Sequence, residues 1–130
     1  MIILTLRTDK PEAEIGLYND SSQLAHEQWL AHRQLAETLH KKISKLLTSQ
    51  NLHLTDIEAI VCYEGPGSFT GLRIGLSVAN ALTYSLKVPI VGTTSDTWVQ
   101  HGIEKLQAGY RQAVVLPEYG AEAHITLPKH

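Results

Sequence analysis

The sequence predicts an α/β domain in which a mixed sheet is flanked by helices. Three observations carry that prediction. Apolar runs of strand length open the chain, a helical period takes over after Arg33, and strand-like and helix-like segments then alternate to about Leu106. With 130 residues the chain can build one real core but not two. Apolar residues make up 43% and charged residues 18%, the ordinary balance of a globular domain.

The elements follow in order. Residues 1–8 (MIILTLRT) are mostly apolar and read as a buried first strand. Asp9-Lys10-Pro11 turns the chain into a second strand over residues 13–18. Residues 19–22 have the composition of a hairpin turn, and 24–30 form a third strand antiparallel to the second. From Arg33 the period changes: Leu35, Leu39, Ile43, Leu46 and Leu47 recur at helical spacing, with the charged residues mainly on other faces. The simplest reading of that stripe is a core face. Thr48-Ser49-Gln50-Asn51 ends the helix, and residues 57–63 supply the fourth strand. A second helix is expected over 72–86 and a short strand over 88–92, with Pro89 near its start. Ser95 or Asp96 can cap a third helix to about Leu106. Residues 112–116 and 123–127 read as two last strands. Three strands in meander, then helix, strand, helix, strand, helix, is the order of a ribonuclease-H-like domain. On this reading residues 1–107 form that domain and 108–130 a short C-terminal hairpin.

Composition excludes several roles. A net charge of −2 gives no broad basic face, so direct, tight nucleic-acid binding by this chain alone is not expected. Cys62, the one cysteine, cannot form an internal disulfide, and its apolar run suggests a buried thiol in a reducing compartment. Arg7 and Asp9 interrupt the apolar start too early for a signal peptide, and no run reaches bilayer-spanning length. A soluble, cytoplasmic protein is the expectation.

The most informative stretch is Glu64-Gly65-Pro66-Gly67-Ser68-Phe69-Thr70-Gly71-Leu72-Arg73-Ile74-Gly75, a glycine-rich turn from a strand into a helix. It is no Walker A loop, because no Gly-Lys-Ser/Thr follows. Thr70 stands where a dinucleotide fingerprint needs its last glycine. Ser68 or Thr70 can cap the helix, while Gly65 and Gly67 permit dihedrals that other residues avoid. Gly71, Gly75 and Ala79 then repeat every four residues, a strip that lets another backbone come close. Three uses stay open: close helix packing (a partner's helix included), a purely internal turn, and anion or nucleotide binding by Gly65, Gly67, Ser68, Thr70 and Arg73. Arg73 one turn into the helix can equally serve a surface or interface ion pair.

Catalytic constellations are lacking in the sequence. The seven histidines contain no i, i+4 pair, so no zinc helix exists, and Glu37-x-x-His40 has no second copy to complete a di-iron site. Cys62 sits in a strand where thiols are inert, and Ser68 lacks a nucleophile-elbow frame. No metal ligand set and no catalytic residue is assigned.

The glycine-rich stretch, the apolar first strand ending in Thr8, Leu54-Thr55-Asp56-Ile57 and Val88-Pro89-Ile90-Val91-Gly92 together resemble the TsaB (YeaZ) family over roughly residues 1–107. The resemblance implies the actin/sugar-kinase superfamily and a role in threonylcarbamoylation of the adenosine beside the tRNA anticodon. It implies a non-catalytic subunit that pairs with the paralogue TsaD, works with the ATPase TsaE, meets tRNA only indirectly, and forms a homodimer when alone. In that family the first two helices form the partner surface, which here implicates Gly67, Ser68, Phe69, Gly71, Leu72, Gly75 and Ala79, with Leu39, His40 and Leu47 on the first helix. Gly71→Leu or Gly75→Leu is then expected to block association while leaving the fold largely intact.

Three departures accompany the resemblance. Most of the family's second domain is missing, with Val114 to Leu127 resembling only its opening hairpin and Glu122 standing where a glutamate is frequent. Arg7 replaces an acidic residue that elsewhere in the superfamily helps position a metal-bound phosphate. A histidine early in the first helix is absent, with Leu35 near its place. The alternative function is a nucleotide- or phosphate-binding protein with weak ATPase or phosphotransfer activity through residues 64–73, using Arg7 and Arg73 as anion ligands. No cofactor is firmly assigned; ATP or ADP at the complex interface is the one expected possibility. A peptidase activity finds no catalytic constellation, and a self-associating relic without a role in tRNA modification is the last alternative.

Overall fold

The described residues form strands and helices in the order β1 (Ile2–Arg7), β2 (Glu12–Asn19), β3 (Ser22–Leu30), α1 (Leu35–Ser49), β4 (Ala59–Tyr63), α2 (Phe69–Leu86), β5 (Ile90–Thr93) and α3 (Trp98–Gln107). A 3-10 turn, Leu54–Asp56, precedes β4. These come from a computed structural model, which describes residues 1–31, 34–67, 69–112 and 114–117. The strands form one mixed sheet in the order β3-β2-β1-β4-β5. β1 pairs antiparallel with β2 (Thr5 opposite Gly16) and parallel with β4 (Thr5 opposite Val61). β4 in turn pairs parallel with β5.

Burial explains the pattern. β4 (AIVCY) is buried along its whole length, because it is central and covered on both faces. β3, the outer strand, alternates between exposed and half-buried positions. Successive side chains on a strand point to opposite faces. Arg7 reaches Tyr63, whose ring meets Trp98 of α3 edge-on at 6.2 Å, whereas the next residue, Thr8, bonds to Gly71 of α2. Hence α2 and α3 cover opposite faces. α1 lies on the α2 side, against β2, β3 and α2 itself. Leu39 and Leu72 from these helices meet Leu4, Leu6, Ile15 and Ile60 in a core with essentially no solvent contact. Each such side chain contributes about 1.5–3 kcal/mol relative to remaining exposed.

Several boundaries differ from the sequence reading, each for a local reason. β4 starts at Ala59 because the Ile57 N–H closes the preceding turn on the Leu54 carbonyl. β5 starts at Ile90 because Pro89 has no N–H and that of Val88 returns to the Thr83 carbonyl. α2 begins at Phe69, before the expected Leu72, so Thr70 is inside the helix and not its cap. Neither Ser95 nor Asp96 caps α3: Thr97 holds that position without a side-chain hydrogen bond to the helix's first N–H groups. Of the strand expected at residues 112–116, only Gln112 makes a bridge, to Ile90. The companion strand at 123–127, with Glu122, lies outside the described residues.

Candidate functional site

The glycine-rich turn leaves β4 at Tyr63 and is tied down before it reaches α2. The Glu64 N–H donates to the Thr93 carbonyl at 2.9 Å, and the Tyr63 hydroxyl donates to the Pro66 carbonyl at 2.8 Å. Gly65 has φ 126°, and the Gly65–Pro66 bond is cis. Gly67 then lies directly over Asp9: a Cβ there would sit 2.4 Å from Asp9 Cβ and 3.0 Å from its Oδ2. Ser68, expected to cap the helix, lies outside the described residues.

Underneath the turn is an ion pair. Arg7 Nε donates to Asp9 Oδ1 at 2.7 Å and Arg7 Nη2 to Oδ2 at 3.3 Å, a two-pronged contact. The Arg7 guanidinium also stacks on the Tyr63 ring, 3.8 Å from its centroid. Both partners are nearly withdrawn from water, with side chains 13% and 6% exposed. Burial by itself lowers the Arg7 pKa, but the hydrogen bond and charge of Asp9 more than offset it, so the net direction is upward. Arg7, the anion ligand of the nucleotide reading, is hydrogen-bonded to Asp9 from inside the chain. The pairing had a signal in the sequence, an arginine and an aspartate two residues apart.

The small-residue strip on α2 also resolves into contacts. Thr8 Oγ1 donates to the Gly71 carbonyl at 2.7 Å, and a Cβ on Gly75 would come within 1.9 Å of the same oxygen. The close neighbour of Gly75 is the Thr8 side chain, just past β1 of the same chain. Leu72 and Ala79 are likewise fully buried in the chain's own core, as are Leu39 and, nearly so, Leu47 on α1. These five residues, expected at a partner surface, face inward, and that part of the expectation is corrected. Gly67 and His40 are exposed and Gly71 is half-buried. Phe69 is the first residue of α2.

What α1 and α2 present to solvent is a different set. A groove between them, about 350 Å³ in volume, is lined by Ala36, Thr70, Arg73, Ile74, Ser77 and Val78. Apart from Arg73 these are small or apolar, so the two helices offer a smooth furrow with one cation on its wall. Tyr84 stands on the outer side of α2, 88% exposed. A second, smaller groove of about 200 Å³ continues along α1 past His40, Ser44 and Thr48 to Leu54. Of the residues that sequence reasoning assigned to a partner surface on these two helices, most lie on the inner faces. Ala36, Ser77 and Tyr84 were missed because each is unremarkable until the core face is known.

On the far side of α2 the Asn80 side chain holds Val115 at both backbone groups. Its Nδ2 donates to the Val115 carbonyl and its Oδ1 accepts from the Val115 N–H, both at 2.9 Å. Gln112 does the same for β5, its N–H donating to Ile90 and its Oε1 accepting from Gly92. Burial pushes the Cys62 thiol pKa well up, with the Glu64 charge adding to it. Among the described residues no group of three His, Cys, Asp or Glu side chains is placed to hold a metal. No helix among them is long and apolar enough to cross a membrane.

Comparison with known proteins fits this geometry. The family described as "TsaD: tRNA N6-adenosine threonylcarbamoyltransferase" matches residues 26–104, more than half of the chain. The tRNA threonylcarbamoyladenosine biosynthesis protein TsaB of Escherichia coli (strain K12) is 31% identical over 114 residues, covering 83% of this chain and 49% of that protein. The chain thus spans about half the length of the curated relatives it matches. A solved Pseudomonas aeruginosa protein, described as similar to peptidase YeaZ, superposes with a TM-score of 0.67 at 27% identity, over 72% of this chain and 43% of that one. The T. thermophilus RuvC, solved with a Holliday junction substrate, covers 95% of this chain and 87% of its own at a TM-score of 0.54. At 13% identity it shows the ribonuclease-H-like fold alone. The chain belongs to the TsaD-type family that the matching description names, and within it resembles the TsaB (YeaZ) proteins.

Proposed function

We propose that this chain acts in tRNA threonylcarbamoyladenosine biosynthesis as a non-catalytic subunit that binds a TsaD paralogue through the outer faces of α1 and α2. The observation that supports it is the α1–α2 furrow: two helices in contact whose largest apolar residues face their own core and whose groove is lined mostly by small side chains. Helices from a partner can seat in such a furrow at the short interaxial distances that small side chains allow. Tyr84 supplies an exposed aromatic of the kind that anchors interfaces, and Arg73 supplies a charge that an acidic partner residue can meet. The same face, being available in the free chain, is where two copies pair when TsaD is absent. tRNA and TsaE are reached through TsaD.

Calorimetric titration of TsaD with this chain tests the proposal. Saturable binding, weakened about tenfold or more by Arg73→Glu, is the expected result. Absence of binding, or equal affinity for both chains, overturns it.

A further inference from the structure

We infer that the Asp9 carboxylate closes the glycine-rich turn to anions, with Arg7 acting as its built-in counter-ion. The turn has the ingredients of a phosphate cradle: glycines, a helix following them, and an arginine beneath. What decides against that use is the order of the groups. Gly67 packs directly onto Asp9, so an anion approaching Gly67 comes up against a carboxylate and not a free guanidinium. Arg7 in turn has its Nε and one Nη committed to the two carboxylate oxygens, and its flat face is committed to Tyr63. Arg7 is therefore not a lone cation for a phosphate to meet. A nucleotide–metal group of the kind the superfamily resemblance implies therefore does not fit, because the position of its charges is filled from within the chain. The pair also removes any need for a ligand: a buried carboxylate is stable here because it is hydrogen-bonded to a buried cation.

The inference predicts a gain of function from a single change. Asp9→Asn keeps the shape and removes the carboxylate that holds the guanidinium, leaving the cross-strand Glu14 as its remaining acidic neighbour. Thermal unfolding of the full chain is followed with and without inorganic phosphate, for the native chain, Asp9→Asn and the double variant Arg7→Gln/Asp9→Asn. Sodium chloride at matched ionic strength controls for screening. The native chain is expected to show no phosphate-specific rise in melting temperature. Asp9→Asn is expected to show a saturable rise, its phosphate affinity about tenfold or more above the native chain, and the double variant is expected to lose it. A phosphate-dependent rise in the native chain overturns the inference, as does its absence in an Asp9→Asn chain that melts cooperatively. Should Asp9→Asn not fold, Asp9→Ser replaces it with the same readings. This test uses no partner, so its failure leaves the α1–α2 interface standing and the converse also holds.

Discussion

Gly75 and Thr8 are in contact so close that a single methyl group cannot fit between them: a Cβ on Gly75 would lie 1.9 Å from Thr8 Oγ1 and 2.9 Å from Thr8 Cβ. The same hydroxyl donates to the Gly71 carbonyl one turn earlier. One threonine just past β1 thus touches two successive turns of α2.

Gly75→Ala is accordingly expected to destabilise the chain by about 1–3 kcal/mol, and Gly75→Leu by more, since backbone or Thr8 must shift to admit the side chain. Urea unfolding measures it. The sequence-based expectation that Gly75→Leu spares the fold is reversed, because the close neighbour belongs to the same chain. A Gly75→Ala chain as stable as the native one would contradict the packing described.

The exit segment offers a second test. Asn80→Leu removes both hydrogen bonds to Val115 and leaves that backbone unpaired against α2. A loss of about 1–3 kcal/mol is expected, together with faster proteolytic cutting after Gln112. Unchanged cutting would mean that the clamp does not hold the segment.

Cys62 is fully buried, and its pKa lies well above the ordinary thiol value of 9.0. Folding therefore favours the neutral thiol. That contribution is fully present below the ordinary value and is lost as pH rises above it, because the unfolded chain ionises first. Stability is expected to fall with pH in that alkaline range, with Cys62→Ala reducing the slope. Iodoacetamide should react slowly with the native chain and quickly in urea. Fast native alkylation would contradict the burial.

Much of this fold was readable before the structure. The stripe of Leu35, Leu39, Ile43, Leu46 and Leu47 has one period and one meaning, and all five are buried. The four-residue spacing of Gly71, Gly75 and Ala79 announced close approach by another backbone, whereas the Thr8 side chain sits against Gly75. The spacing could not show this, because Thr8 lies more than sixty residues away and nothing local links them. Arg7 and Asp9 were legible as neighbours, yet their joint position under Gly67 depends on how β1 and β4 pair. Asn80, an amide set between Ala79 and Ala81 in α2, was a signal that went unused. The outer faces were hardest to read, since Ala36, Ser77 and Tyr84 acquire meaning only once the inner faces are assigned.

The partner face allows a substitution that the core does not. Ser77 is exposed on the wall of the α1–α2 furrow, so Ser77→Arg should alter stability by no more than about 0.5 kcal/mol while filling the furrow. Loss of TsaD binding with an unchanged melting temperature is the expected signature. Native affinity in the variant would place the interface elsewhere.

The most direct measurement is light scattering behind size exclusion, on this chain alone, on TsaD from the same organism and on their mixture. The account predicts that the chain's own dimer disappears as a mixed species appears at the summed mass of one chain and one TsaD, and that Ser77→Arg abolishes that species. A chain that elutes apart from TsaD, each at its own mass, would contradict the account.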